Sequence, residues 1–247
     1  MIDLPLALLV FAILTFAGFV KGVIGLGLPT VAIGLMSLAM PPAQAAALLV
    51  VPALATNVWQ MMYGGQLLAL ARRLWPLLLA LTVATLASVG QLAHDATGRA
   101  ATILGLAIAL YALVGLARIR LRVPRKAEPL LSPVIGAITG LIGGATGAFP
   151  FPSVPYLQAL ELERDALVQA LGIIFMTATI ALTLVLVHDG VFRPQVAGAS
   201  ALALLPALAG MAIGQRVRRR LAGEAFRRWL LLGLLALGAH LAARGLL

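Results

Sequence analysis

Gly18-Phe19-Val20-Lys21-Gly22-Val23-Ile24-Gly25-Leu26-Gly27-Leu28-Pro29, near the start of the chain, and Gly136-Ala137-Ile138-Thr139-Gly140-Leu141-Ile142-Gly143-Gly144-Ala145-Thr146-Gly147-Ala148-Phe149-Pro150, in its second half, are the stretches whose reading decides the fold. They align from Gly18 with Gly136 to Gly25 with Gly143 at one offset, 136 − 18 = 118. Beyond a small insertion the offset becomes 179 − 57 = 122, which sets Asn57 opposite Thr179. Each stretch gathers glycines ahead of proline: Gly22, Gly25 and Gly27 before Pro29, and Gly143, Gly144 and Gly147 before Pro150, Pro152 and Pro155. Such punctuation interrupts helices, and non-helical backbone at membrane depth survives only when buried in protein or lining a wet cavity. A second reading is equally physical. Gly18 and Gly22, and Gly136, Gly140 and Gly144, stand four apart, the spacing that lets helices pack closely. Both readings stay open on sequence alone. A dinucleotide-binding loop is excluded, because no strand–helix unit or acidic partner surrounds the glycines.

Around these stretches the chain is strongly apolar. Of 247 residues, 62% are hydrophobic and 11% charged, with a mean hydropathy of +1.06, against about 45–50% and 25% in soluble domains. Apolar stretches run at about 4–40, 43–63, 74–93, 98–117, 132–160, 165–187, 194–215 and 226–246, and a spanning helix needs about 20 such residues. The expected fold is an all-α polytopic membrane protein of about eight hydrophobic elements in two sets of four. A first transmembrane repeat fills 1–117, a basic linker 118–131 and a second repeat 132–247. Asp3 stands where a secretory signal would be basic, so the first apolar run is expected to belong to the mature protein. The absence of cysteine excludes disulfides and thiolate-bound metals.

The net charge of +10 is concentrated: Arg72 and Arg73, then Arg118, Arg120, Arg122, Arg125 and Lys126, then Arg216, Arg218, Arg219, Arg220, Arg227 and Arg228 hold 13 of the 18 lysines and arginines. Short loops rich in these residues stay in the cytoplasm. The loops at 72–73, 118–126 and 216–228 are therefore expected inside a multi-pass protein of the cell inner membrane, beside anionic lipid headgroups. His94-Asp95 and His188-Asp189 become outer turns. On this topology the second element of each half runs in the opposite sense, so the repeats are expected to be inverted, a plan that places substrate near the midplane between the halves. The 29 residues of 132–160 must then begin and end inside, too few for two spans of about 20 each. A re-entrant hairpin or broken helix, opening each half, fits. Nucleic acid is not an expected partner, since no base-stacking aromatics accompany the cations.

Lys21 stands in an apolar stretch with no carboxylate near it in sequence. A lysine at a helix centre is unfavourable by about 2.5–3.5 kcal/mol on insertion scales, and such residues mark pathways; snorkelling to an interface is the competing reading. Backbone N–H groups freed at Gly22, Gly25 and Gly27, and at Gly143 and Gly144, favour an anion beside the ammonium. Asn57, Gln60, Thr139, Thr146, Gln169, Thr177 and Thr179 are further candidate donors to oxyanion oxygens, each also able to serve as interhelical glue.

Ala17 to Gly27, Gly136 to Gly147 and Pro155-Tyr156-Leu157 resemble the TauE/SafE family of sulfite and organosulfonate exporters, over nearly the whole chain. The resemblance implies export of a small anion such as sulfite or an organosulfonate by alternating access, with the glycine-rich segments as opposite walls of one site. Family members often carry a run of glycines where this chain has Gly25-Leu26-Gly27-Leu28 and Gly143-Gly144-Ala145-Thr146-Gly147. Transport is therefore implied more firmly than sulfite. No cofactor or metal is expected, and a homo-oligomer is left open.

A non-transport assembly protein is the main rival. An intramembrane enzyme ranks lower, as no His-Glu-x-x-His, Gly-x-Ser-x-Gly or phosphate-binding loop occurs. All eight acidic residues lie near expected loops or termini, so no buried proton relay is read. An anion leaving a cell that is negative inside gains about 2.3 kcal/mol per charge per 100 mV.

Overall fold

The computed structural model describes residues 4–88, 90–93, 95, 98–117, 122–218 and 223–244. Asp3, His94, Arg118, Arg120, Arg219 and Arg220 lie outside the described residues. Among those described there are ten helices and no strand: α1 (Leu4–Ile24), α2 (Leu28–Met36), α3 (Pro42–Met62), α4 (Leu67–Leu86), α5 (Arg99–Ala117), α6 (Glu128–Thr146), α7 (Ser153–Ala159), α8 (Arg164–His188), α9 (Pro194–Val217) and α10 (Gly223–Arg244). Eight of them, all but α2 and α7, are long and apolar enough to cross a membrane. The chain is a multi-pass membrane protein.

Two apolar stretches of sequence each yield a long helix and a short one. The run at 4–40 breaks between α1 and α2, where Gly25 and Gly27 take φ values of 91° and 101°. The run at 132–160 breaks between α6 and α7, and Gly147 ends α6 at φ 80°. Only glycine takes these left-handed conformations without steric cost. Pro29 then falls in the first turn of α2, where its missing N–H is no loss. Two basic boundaries also move: α4 begins at Leu67 and takes in Arg72 and Arg73, and α6 begins at Glu128. Long arginine stems can lie along an apolar helix while the charge reaches its end.

Helix pairing follows the small residues. A methyl at Gly18 would meet the Ala207 carbonyl and one at Gly22 the Met211 carbonyl, so α1 and α9 run parallel at backbone contact. Gly136 and Gly140 stand in the same way against the Leu77 and Leu81 carbonyls, joining α6 to α4 in parallel. The two partner sets share one offset, 207 − 77 = 211 − 81 = 130, and the internal prolines Pro76 and Pro206 obey it too. In contrast, α3 packs antiparallel on α8, and α5 on α10 with Gly105 against Gly238 and Ala242. The four-residue spacings thus serve close packing, and the later glycines serve the breaks.

Pro52 shows how a missing donor becomes a tertiary bond. Lacking an N–H, it leaves the Leu48 carbonyl of α3 without its helical partner. The buried Ser200 hydroxyl of α9 donates to that carbonyl at 2.9 Å and accepts from Val51 N–H at 3.0 Å.

The ends of the bundle are tied separately. At one end Arg73 grips Glu128 with Nε–Oε2 at 2.8 Å and a second contact at 2.6 Å. Arg122 pairs with Glu161 at 2.6 Å, and Val123 N–H donates to the Ala159 carbonyl at 2.9 Å. At the other end Gly90 N–H donates to Asp189 Oδ2 at 2.8 Å, and Asp95 caps α5 through Arg99 and Ala100 N–H.

The glycine contacts are testable. Gly18→Val and Gly136→Val should each lower stability in detergent by about 1–3 kcal/mol or more. Gly233→Ala, where a Cβ meets nothing within 4 Å, should not. Unchanged melting of Gly18→Val would remove the assigned α1–α9 contact.

Candidate functional site

The break after α1 leaves Lys21 near the C-terminal end of that helix, where Gly25 N–H closes the last turn on the Lys21 carbonyl at 2.7 Å. The lysine side chain is 6% exposed. Its ammonium donates to Thr56 Oγ1 at 3.0 Å and to Asn57 Oδ1 at 2.9 Å, both on α3. Thr56 in turn donates to the Pro52 carbonyl at 2.7 Å. Asn57 Nδ2 donates across to Thr179 Oγ1 on α8 at 3.3 Å, and Thr179 donates to the Phe175 carbonyl at 2.6 Å. The network therefore runs from α1 through α3 to α8, with every shared hydroxyl both donating and accepting.

Only neutral groups receive the ammonium. A hydrogen bond to a charged group contributes about 1.5–3 kcal/mol, so two of them offset an insertion cost of about 2.5–3.5 kcal/mol. They do not neutralise the charge. An ammonium has three donors, and two are used here.

Lys21 faces a cavity of about 590 Å³ that it shares with Gly22, Gly25, Gln60, Arg164 and Arg218. Gly25 has nothing within 4 Å of its would-be Cβ, so its backbone borders that space. Gln60 Nε2 holds the Gly25 carbonyl at 2.9 Å, while its own buried Oε1 finds no partner. Asp165 is the single carboxylate in the lining, against the cations Lys21, Arg164 and Arg218. A cleft lined by an excess of one sign concentrates counter-ions of the other.

Thr179 also lines a second cavity of about 30 Å³, room for at least one water, which needs about 10–15 Å³. Both breaks line it: Leu26 and Gly27 from the first, Gly147, Phe149 and Pro150 from the second. Its walls are mostly apolar. The Phe149 ring fills the place a side chain would take at Gly143. The breaks are thus adjacent in space: both border the small apolar cavity, and the first also borders the wide basic one.

The candidate residues divide accordingly. Lys21, Asn57 and Thr179 are joined directly, and Gly22 and Gly25 border the same cavity as Lys21. Gly27 borders the small cavity. Gly143 backs Phe149, and Gly144 packs on Ser88. Thr146 bonds the Ile142 carbonyl at 2.6 Å and receives Ala148 N–H at 3.2 Å, closing the second break. Gln169 braces the α3–α4 turn, donating to the Met61 carbonyl and accepting from Gln66 N–H, both at 2.8 Å. Thr139 is fully buried and its hydroxyl has no partner. Thr56, Arg164 and Arg218 were not among the sequence candidates for the site. Thr56, one residue before Asn57 on the helix, was the one that spacing could have found.

A double-mutant cycle tests the bridge between the halves. Asn57→Ala and Thr179→Val should couple by about 0.5–3 kcal/mol in unfolding measured in detergent. Additive effects would mean that the 3.3 Å contact carries nothing.

A family model described as Sulfite exporter TauE/SafE matches residues 10–241. No curated protein and no solved structure matches the chain.

Proposed function

We propose, since the chain belongs to the sulfite exporter TauE/SafE family, that this membrane transporter carries a small oxyanion, sulfite or an organosulfonate, past Lys21 by alternating access. The observation that carries the reading is the buried ammonium itself, held by neutral partners at the end of a basic cavity. An anion entering from the Arg164 and Arg218 end would meet the third N–H of Lys21. Gly25 leaves backbone accessible beside it, and Thr56 and Gln60 offer polar atoms on the same wall.

The halves are read as inverted repeats, α1–α5 and α6–α10. The equivalent helices α3 and α8 run antiparallel, and the α1–α9 contact is mirrored by α6–α4 at a constant offset. The positive-inside rule puts the end with Arg73, Arg122, Arg164 and Arg218 in the cytoplasm. The end with Asp95 and Asp189 then faces outward. In this arrangement the wide cavity opens inward, and Phe149 with its apolar neighbours closes the outer path. Exchange of the two environments would release the anion outside. The membrane potential alone favours that direction for an anion. The chain is read as a carrier rather than an enzyme, because the family it belongs to is one of exporters.

Uptake into proteoliposomes is the direct test. Labelled sulfite or a sulfonate should enter in a saturable manner, and Lys21→Ala should reduce the rate at least tenfold while melting as a folded protein. Uptake unchanged by that substitution sinks the site. Asn57→Asp separates binding from stability: a carboxylate beside Lys21 should keep the protein folded, yet compete with the substrate and cut transport by a similar factor.

The natural absence of cysteine allows sidedness to be read one thiol at a time. Cysteine at Gln215, in the wide cavity, should react with an impermeant reagent in inside-out vesicles only. Cysteine at Thr30, in the small cavity, should react from neither side in the resting protein. Reaction of Gln215→Cys from the outside would reverse the proposed orientation.

A further inference from the structure

A groove of about 870 Å³ opens on the lipid-facing side of the bundle between α4 and the start of α6, within the range of about 300–1,000 Å³ typical of ligand sites. One wall is a stripe of α4, with Trp75, Leu79 and Val83 exposed at 59%, 55% and 57%. The other wall comes from Pro129, Ser132 and Pro133 of α6. At its end stand Arg73, Glu128 and Arg125.

The electrostatics of that end are simple. Arg73 and Glu128 neutralise one another through two contacts. Arg125 is exposed and forms no ion pair among the described residues. The tight turn before α6 fixes its backbone, with Ala127 N–H bonded to the Pro124 carbonyl at 2.8 Å and Glu128 N–H to the Arg125 carbonyl at 3.3 Å. The groove therefore carries one uncompensated positive charge at its head and an apolar floor along its length. Trp75 lies at the charged end, the depth at which tryptophan meets headgroups.

We infer that this groove binds one anionic diacyl phospholipid, its phosphodiester on Arg125 and an acyl chain over Leu79 and Val83. The single charge matches a singly charged headgroup, and the apolar strip suits the chain. Basic pockets at helix ends take such lipids by this combination. The bound lipid would brace α4 against α6, the helix that leads into the second break. This inference needs only the membrane fold and stands apart from the transport reading.

The test titrates phosphatidylglycerol into the full-length protein in phosphatidylcholine nanodiscs, reading the apparent melting temperature and, by native mass spectrometry, the lipid retained. Phosphatidylglycerol should raise the melting temperature, with half-saturation about fivefold weaker in Arg125→Ala, the effect of one cation at an anionic surface. Lys126→Ala, an equal loss of charge next door, should bind as wild type. Ala80→Trp, which fills the groove, should abolish retention. Equal binding by Arg125→Ala and wild type would overturn the site. An equal shift with inorganic phosphate would make it a phosphate site rather than a lipid groove, and an equal shift with added phosphatidylcholine would remove the role of charge.

Discussion

Inside a bilayer no water meets a backbone group that a helix has released, so each break in α1–α2 and α6–α7 must find its partners within the protein. The chain meets this requirement with side-chain hydrogen bonds. Gln60 takes the Gly25 carbonyl, Thr146 takes Ala148 N–H, and the Ser153 hydroxyl donates to the Phe149 carbonyl at 2.6 Å. The rest of the architecture follows from where those breaks can be tolerated. They must lie where α3 and α8 can shield them, and that places Lys21, at the end of α1, against Thr56 and Asn57.

Much of this was legible in the sequence, and the residues show why some was not. The eight apolar stretches correspond to eight long helices, because about 20 apolar residues admit few alternatives in lipid. Lys21 was legible because a charge in such a run needs a reason. The glycines were ambiguous. Gly18, Gly22, Gly136 and Gly140 meet backbone on a neighbouring helix, whereas Gly25, Gly27 and Gly147 have positive φ. Spacing alone cannot separate those uses, since the distinction depends on where the helix ends. Gln169 and Thr146 were read as candidate donors to a ligand, and in the structure Gln169 bonds the backbone of the α3–α4 turn while Thr146 bonds that of its own break.

The two breaks use the same device with opposite surroundings. A glycine at the first opens onto a basic cavity, while Phe149 covers Gly143 at the second. The difference in surroundings is what distinguishes the two breaks. It also explains why composition said little about mechanism: both breaks read as glycine and proline, and their difference lies in which side chain covers them.

The long-range pairing has a consequence for synthesis. Lys21 acquires Thr56 and Asn57 only 35 and 36 residues later, but Asn57 waits 122 residues for Thr179, and Leu48 waits 152 for Ser200. The principal partner of α1 is α9, and Ala207, which Gly18 meets, leaves the ribosome 207 − 18 = 189 residues after it. The first half must therefore reside in lipid with the Asn57 amide and the proline-freed Leu48 carbonyl still awaiting their partners. Its high hydropathy of 2.3 in α1 makes that wait tolerable. Separated halves of this chain would each lack the helix that covers their opening segment, so the nascent protein completes its interior only when α9 arrives.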